Sequence, residues 1–337
     1  MTTRMSNTQP TKPINLAVPG GLAGQLFAIG YAAWIADKRK ELVHIQFYDG
    51  SHPIGKLSAG GVLESDLAKQ LGISYSVSEE GWPPTKSKKL TGLGPHLLSK
   101  LSTRRLSALA EAVMLGGHMW LQSRGTSAPS KFEAVISNSI SKDTLLEAKP
   151  GTTILGFPTD YRIIEESWGM LSDMIASSGY PNFAHGTGAE DSVAVHWRLG
   201  DYVKNDFHGA VAWSSLRNCL RYANSDNKPI KLFTDSPDLA EQTIRESRES
   251  LSYQIVSGDI WSDLYGMTRS RVFVGSHSGV SFLAALALRS NNPSAKTWLP
   301  DRWFRNPGAE YLFQMPPQTS QGSALYPAEL VTSAVPL

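Results

Sequence analysis

Residues 193–203, VAVHWRLGDYV, decide the fold of the second half of this 337-residue chain. The stretch begins as an apolar alternating run, which predicts a β-strand, and it ends on a tight turn at Gly200. His196, Arg198 and Asp201 follow one another at the strand end, where the planar, permanently charged guanidinium of Arg198 matches pairs of phosphate oxygens. The stretch therefore predicts a site for a phosphorylated ligand, with Asp201 orienting the guanidinium. The alternative is an ion pair that only stabilises the strand end, with His196 packed in the core.

Strands and helices alternate through the whole second half. This alternation predicts a doubly wound parallel sheet. The predicted strands are 193–197, 230–233, 253–256, 271–274 and 296–299, and the predicted helices are 213–223, 237–248, 260–268 and 280–289.

The first half begins with a strand, a glycine loop, a helix and a second strand, which is the start of a parallel α/β layer. These elements are predicted at 14–18, 19–21, 25–38 and 42–47, and another strand and helix at 153–156 and up to 176. Turn-forming residues 177–190 mark a domain boundary. We therefore predict a disordered leader over 1–13, a first domain over 14–178, a second over 190–306 and a tail over 307–337.

Composition narrows the class of protein. The net charge of +2 is too small to indicate nucleic acid as a partner, and a single cysteine, Cys219, excludes an intrachain disulfide and fits a reducing compartment. No apolar run is long enough to span a membrane, and the N-terminus has no apolar core of a secretory signal. We expect a cytoplasmic protein.

One segment, 86–105, is strongly basic. From residue 96 to 115 the apolar residues have helical spacing, which predicts an amphipathic helix that either contacts an anionic membrane surface peripherally or is an ordinary solvated helix. No acidic residue occurs between Glu80 and Glu111, whereas the basic residues there are Lys86, Lys88, Lys89, Lys100, Arg104 and Arg105.

Two further loops follow strands of the second half. In FTDSPD, residues 233–238, Asp235 is available to a ligand or to the cap of the next helix. In GSHSGVS, residues 275–281, small and hydroxyl side chains at a helix start predict an anion site, with a plain helix cap as the alternative. No metal site is expected, because the histidines lack paired spacing and one cysteine cannot form a thiolate cluster.

Several short motifs, taken together, resemble those of glycosyltransferase family 11, the α-1,2-fucosyltransferases. GGLAGQLF at 20–27 is similar to that family's GGLGNQLF, and HWRLGDY at 196–202 to its HxRRGDY signature. HG at 208–209, LFTDS at 232–236, DLYGM at 263–267 and LPDRWF at 299–304 follow in the family's order. The resemblance spans most of the chain except residues 49–153.

This resemblance implies a GT-B fold, in which two Rossmann-like α/β domains face each other across a cleft. The first domain would bind the acceptor and the second GDP-fucose. It also implies an inverting transfer of fucose to a glycan hydroxyl, α-1,2 on a galactoside, in bacterial surface-polysaccharide synthesis, with a free or lipid-linked acceptor. GDP-fucose would be the donor substrate, and neither a cofactor nor a metal would be needed.

The resemblance also implies roles for individual residues. Arg198 would bind the β-phosphate, and His196 and Asp201 would support the loop that carries it. Asp263 would contact guanine or ribose. The remaining donor-binding residues are Gly20, Gly21, Gln25, Asp235, Ser276, His277 and Ser278. Asp160, Asp37 and His208 are candidate bases for the acceptor hydroxyl.

Two departures from the family pattern keep alternatives open. The family's second arginine is Leu199 here, and its loop asparagine is Gly24. A transferase for another GDP-sugar or linkage, and a non-catalytic protein that binds glycans or nucleotides, are therefore the alternatives.

Overall fold

The computed structural model describes residues 12–19, 21–48, 74–78, 134–177, 182–185, 190–204, 208–224, 226–248, 251–305 and 323–331. Three predictions lie wholly or mostly outside these residues. They are the leader, the position of Gly20 and the basic segment 86–105.

The first half forms a five-stranded sheet, and every pair of neighbouring strands in it is parallel. The strand order is β3-β2-β1-β5-β4. The strands are β1 (Ile14–Pro19), β2 (Val43–Tyr48), β3 (Ser74–Ser78), β4 (Ala134–Ser139) and β5 (Thr153–Phe157), and the helices are α1 (Leu22–Arg39), α2 (Lys142–Glu147) and α3 (Tyr161–Ser177).

The second half forms a six-stranded parallel sheet in the order β12-β11-β10-β6-β8-β9. Counted along the chain, this is the 3-2-1-4-5-6 order of Rossmann folds. The strands are β6 (Glu190–Trp197), β8 (Ile230–Thr234), β9 (Tyr253–Val256), β10 (Ser270–Gly275), β11 (Lys296–Pro300) and β12 (Ala324–Tyr326), and a separate antiparallel pair joins β7 (Ala210–Val211) to β13 (Leu330–Val331). The helices are α4 (Trp213–Ala223), α5 (Pro237–Glu246), α6 (Ile260–Met267) and α7 (Gly279–Asn291).

The predicted α/β architecture with two Rossmann-like parallel sheets is confirmed. The predicted strands and helices are all present, with ends that differ by a few residues. Strand β6 of the second sheet is buried at six consecutive positions, 192–197, which is why it reads as a nearly continuous apolar run.

The C-terminal segment differs from the prediction. A tail was expected from residue 307, but β12 extends the second sheet at its edge, and Tyr326 of β12 is buried. The hydroxyl of Tyr326 donates to the carbonyl oxygen of Gly275 at 2.8 Å, which ties this strand to the end of β10. The strand was missed because three residues are too few to give a clear alternating pattern.

Aromatic side chains join the two halves. The Tyr161 ring of α3 stacks on Phe282 of α7 with ring centroids 4.0 Å apart, and Phe27 of α1 lies edge-on to both. At the same place α1 and α7 approach so closely that a Cβ built on Gly279 would lie 2.8 Å from the Cβ of Ala23. The N-terminal turns of these two helices are therefore packed against each other.

Candidate active site

The second sheet has its topological switch point between β6 and β10. From there the chain proceeds through β8 and β9 on one side and through β11 and β12 on the other, so the loops after β6 and β10 diverge and open a crevice. Arg198 follows β6, and residues 276–278 follow β10. The two loops are in contact, because the backbone N–H of Arg198 donates to the Ser276 hydroxyl at 3.1 Å.

The guanidinium of Arg198 is held between two carboxylates. Its Nη2 donates to Asp201 Oδ1 at 2.6 Å, and its Nη1 lies 2.9 Å from Asp235 Oδ2. Burial alone would lower the pKa of Arg198, but the charges of Asp235 and Asp201 outweigh it and raise the pKa. The side chain is 27% exposed, so its remaining N–H groups can reach a ligand in the crevice.

Asp235 also builds the backbone of this loop. Its Oδ1 accepts from the N–H groups of Leu199 at 2.9 Å and Gly200 at 3.2 Å. A Cβ built on Gly200 would lie 2.2 Å from Asp235 Oδ2, so only glycine fits there. The Leu199 side chain is fully buried, and the position of the family's second arginine therefore points into the core.

The loop after β10 leads into the N-terminus of α7. Ser278 is the N-cap of this helix and accepts from the backbone N–H of Val280 at 3.2 Å. His277 is fully buried, and neither of its ring nitrogens makes a hydrogen bond of good geometry to the described residues. Burial, and next the charge of His208, lower the pKa of His277 to about 3, while the nearby Gly209 backbone acts weakly in the opposite direction.

A column of rings supports the Arg198 side chain. The guanidinium carbon lies 5.5 Å from the centroid of the Tyr202 ring, and Tyr202 stacks on His208 with centroids 5.0 Å apart and planes 10° apart. Phe304 lies against the other side of His208, and His277 lies beside Tyr202. Burial raises the pKa of Tyr202 to about 12 and lowers that of His208 to about 4, so this column is uncharged at neutral pH.

His196 lies deeper in the sheet. Its Nδ1 is 2.6 Å from the Ser281 hydroxyl, which ties β6 to α7. Burial, with the nearby charge of Arg198, lowers the pKa of His196 to about 4. The side chain is therefore a neutral structural link behind Arg198.

Asp263 lies at the far end of the same sheet edge, in the first turn of α6 after β9. Burial raises the pKa of Asp263 to about 6, while a hydrogen bond from the Gly258 backbone acts in the opposite direction. Strand β9 is two positions from β6 in the sheet, which is roughly 10 Å at the usual strand spacing. A nucleoside diphosphate is long enough to join the two places.

The first half contributes the N-terminus of α1. Gly21 is its N-cap and provides no side-chain cap, and Gln25 in its first turn is buried. Because α1 packs against the start of α7, both lie near the loop of residues 276–278.

The three candidate bases occupy different environments. Both oxygens of Asp160 are bonded to Arg162, at 2.8 and 2.7 Å, and Oδ2 also accepts from the Lys142 backbone N–H. Asp37 is exposed in the last turn of α1, about 24 Å along the helix from Gly21. His208 is the one of the three that lies in the ring column beside Arg198.

Sequence reasoning did not assign roles to Tyr202, Ser281 or Phe304. Tyr202 has a detectable signal, because it lies within the HWRLGDY motif four residues after Arg198. Ser281 and Phe304 become neighbours of the site only through tertiary packing. Among the described residues, no group of three His, Cys, Asp or Glu side chains is arranged to hold a metal ion, and no helix is both long and apolar enough to cross a membrane.

No family model and no curated protein matches the chain. Among solved structures, the chain is similar to a mutant of Arabidopsis thaliana FUT1 in complex with GDP, with 7% identity and a TM-score of 0.39 over 87% of this chain and 71% of that chain. It is similar to fucosyltransferase NodZ from Bradyrhizobium, with 13% identity and a TM-score of 0.39 over 82% and 94%. It is also similar to the E. coli heptosyltransferase WaaC with ADP, with 12% identity and a TM-score of 0.37 over 92% and 91%. Likenesses this weak carry no conclusion about the function of this chain.

Proposed function

We propose that this protein is a glycosyltransferase that transfers a sugar from a GDP-sugar, with fucose as the first candidate, to a hydroxyl of a glycan acceptor. One observation carries the proposal. Arg198, a partly exposed cation oriented by two carboxylates, lies at the switch point of a Rossmann-like sheet beside the N-terminus of α7. A fixed cation next to a helix N-terminus is suited to a diphosphate.

The order of groups along the sheet edge supports a nucleotide. The diphosphate would contact Arg198, the Ser276 and Ser278 hydroxyls and the start of α7. The base or ribose would extend across β8 towards Asp263. Asp263 offers a carboxylate acceptor at this position, which suits a ligand that donates hydrogen bonds, such as the N1–H and amino group of guanine.

Each group has a role in the proposed inverting transfer. As the bond from the sugar to the β-phosphate breaks, negative charge develops on the leaving diphosphate, and Arg198 stabilises it without having to move. The uncharged ring column keeps Arg198 in place without adding a competing charge. Of the three candidate bases, His208 lies near the site, but its pKa of about 4 makes it a weak proton acceptor at neutral pH.

A second candidate is a transferase for a different GDP-sugar or linkage. The burial of Leu199 favours it, because this chain lacks the second arginine that the resemblance would place in the donor site. Binding of GDP-mannose and GDP-fucose to the same preparation separates the two candidates. The α-1,2 linkage to a galactoside and the role in surface polysaccharide belong to the proposal through the resemblance alone. The proposed cytoplasmic location rests on the composition of the chain, and the proposed contact with a membrane rests on the basic segment 86–105.

The test is calorimetric titration of GDP and GDP-fucose, with EDTA present, into the native protein and the Arg198→Ala variant. Loss of a charge-assisted contact is expected to weaken binding by about 1.5–3 kcal/mol, or about 10- to 150-fold. Arg245→Ala is the matched control, because Arg245 is also paired with a carboxylate, that of Glu241, but on an exposed helix surface. If the native protein binds neither ligand, the proposal is wrong. If it binds GDP-fucose but neither hydrolyses nor transfers the sugar to any acceptor, the non-catalytic alternative is favoured.

A further inference from the structure

A second concave surface lies on the second half of the chain, outside the site described above. It is a cleft of about 820 Å³ between helix α4 and the C-terminal segment 325–329. Nothing in the proposed transfer uses it.

The two walls of the cleft are a helix face and an extended segment. On α4, Ser214, Asn218 and Tyr222 are spaced four residues apart and therefore form one stripe along the helix. On the opposite wall, consecutive residues from Leu325 to Glu329 line the cleft. Hydrogen-bonding groups and apolar surface thus face each other along the whole cleft.

Backbone bonds hold the walls apart at a fixed distance. The Glu329 N–H donates to the Ser215 hydroxyl at 3.0 Å, and its carbonyl oxygen accepts from the Ala212 N–H at 2.8 Å. The Asp301 carboxylate accepts from the Ala328 N–H at 3.0 Å. The cleft is therefore a preformed feature and not a gap between side chains that are free to collapse.

Tyr222 is the exposed aromatic group of this surface. It is 75% exposed, and its ring packs edge-on to Trp298 with centroids 5.2 Å apart. This contact fixes the orientation of the Tyr222 ring and leaves a face open to a ligand. Trp298 also lines the cleft, so the ring that holds Tyr222 is itself part of the wall.

We infer that this cleft is a binding site for a neutral glycan chain. A pyranose ring has C–H groups that pack on an aromatic face and hydroxyls at its edge that pair with amide and hydroxyl side chains, which are the groups offered by Tyr222, Asn218 and Ser214. The charged residues at the rim, Asp301, Arg302 and Glu329, sum to a net charge of −1, which disfavours an anionic ligand. The choice of a glycan as occupant rests on the proposed function, because an enzyme that extends glycans benefits from a second contact with its acceptor.

The direction of α4 relates the cleft to the proposed active site. The helix runs from the carboxyl edge of the second sheet back towards the amino edge, as in other connections between parallel strands. The end of the cleft at Ser214 therefore lies towards the edge that carries Arg198, and Tyr222 lies away from it. A glycan in the cleft would extend from the sheet face towards that edge.

The experiment measures binding of the full-length protein to a panel of immobilised neutral oligosaccharides with galactose, glucose or N-acetylglucosamine termini, and to anionic oligosaccharides alongside. The native protein is expected to bind a neutral member, and Tyr222→Ala is expected to weaken that binding at least about tenfold. Tyr222 is so exposed that its truncation does not threaten folding, and GDP affinity is expected to stay unchanged. Leu42→Ala, which removes another exposed apolar side chain far from the cleft, is the matched control and is expected to bind the glycan as the native protein does.

The Arg198→Ala variant separates this inference from the proposed function, because it is expected to lose GDP and keep the glycan. If no GDP binds but glycan binding depends on Tyr222, the cleft proposal stands and the transferase proposal fails. Binding to no neutral oligosaccharide, binding to anionic ones only, or glycan binding that Tyr222→Ala leaves intact would each overturn the cleft proposal. So would a dimer of the native protein that Tyr222→Ala dissociates, since the occupant would then be a second copy of the chain.

Discussion

The two sheets have the same strand order around their switch points, but the side chains at the two switch points have different partners. In the first sheet the order is β2-β1-β5, and in the second it is β8-β6-β10, so each sheet opens a crevice beside its first strand. In the first sheet the carboxylate at that edge is Asp160, and both of its oxygens already accept hydrogen bonds, from Arg162 and from the Lys142 backbone N–H. In the second, the cation Arg198 is bonded to two carboxylates and its side chain is still 27% exposed.

Sheet topology therefore creates a crevice that a ligand can occupy, and the side chains at the crevice determine whether a ligand can bind there. Asp160 stabilises the chain by satisfying donors from the first turn of α2 and from α3. Asp235 satisfies loop donors too, but it also orients Arg198. The same chemical group is therefore structural in one region and part of the candidate site in the other.

The largest expected effect comes from the contact that joins the two regions. Phe282 is buried and stacks on Tyr161, so Phe282→Ala is expected to lower the free energy of unfolding by about 3–5 kcal/mol through lost burial and a cavity. Urea denaturation measures this change. Leu42→Ala removes a side chain that is 66% exposed and is expected to change stability by less than about 0.5 kcal/mol. A small effect of Phe282→Ala would mean that the two regions do not stabilise each other through this contact.

The second prediction contrasts Asp160 with Asp235. Asp160→Ala leaves a buried backbone donor unsatisfied, so it is expected to lower the free energy of unfolding by about 1–3 kcal/mol while GDP affinity stays unchanged. Asp235→Ala is expected to weaken GDP binding about fivefold or more, because Leu199, Gly200 and Arg198 lose their common partner.

The Asp235→Asn variant is the control for this contrast. Its amide oxygen still accepts from the loop N–H groups, but its NH2 group cannot accept from the Arg198 guanidinium, and we therefore expect it to recover only part of the lost affinity. Denaturation and calorimetry on the same three variants give both readouts. If Asp160→Ala weakened GDP binding as much as Asp235→Ala, the distinction between the two regions would not hold.

The smallest expected effect is the contribution of a single buried histidine to the pH dependence of stability. His196, His208 and His277 have folded-state pKa values of about 4, about 4 and about 3, against 6.5 for the free side chain. Between these values and pH 6.5 the unfolded chain binds more protons, so the free energy of unfolding falls as the pH falls, by up to about 1.4 kcal/mol per pH unit for each group. Asp263 acts in the opposite sense, because its folded pKa of about 6 lies above the usual 3.8.

Urea denaturation at several pH values between 5 and 7 tests whether the free energy of unfolding falls as the pH falls. His208→Phe keeps a ring in the column and removes one titrating group, so a shallower pH dependence is expected. Leu42→Ala removes no ionisable group and is expected to leave the dependence as it is in the native protein. A steeper dependence for His208→Phe would contradict the burial of a neutral His208.

Most of the fold was predictable, because the spacing of apolar residues along the chain indicates each strand and helix. The apolar runs and helical spacings of the second half gave every strand and helix from β8 to β11, since each element buries a continuous face. The short strand β12 was not predictable, because it is held by an edge pairing with β11 and by the Tyr326 hydroxyl, and neither has a local sequence signal.

The amino-acid sequence alone shows which groups lie at the ends of the strands, including Arg198, Asp235 and the loop of residues 276–278, because a parallel sheet brings the carboxyl ends of its strands to one edge. The surroundings of these groups are visible only in the folded chain. The second carboxylate on Arg198, the ring column of Tyr202 and His208, the inward direction of Leu199 and the cleft beside Tyr222 all depend on contacts between residues far apart in the chain. Such contacts arise from packing, which local patterns do not encode.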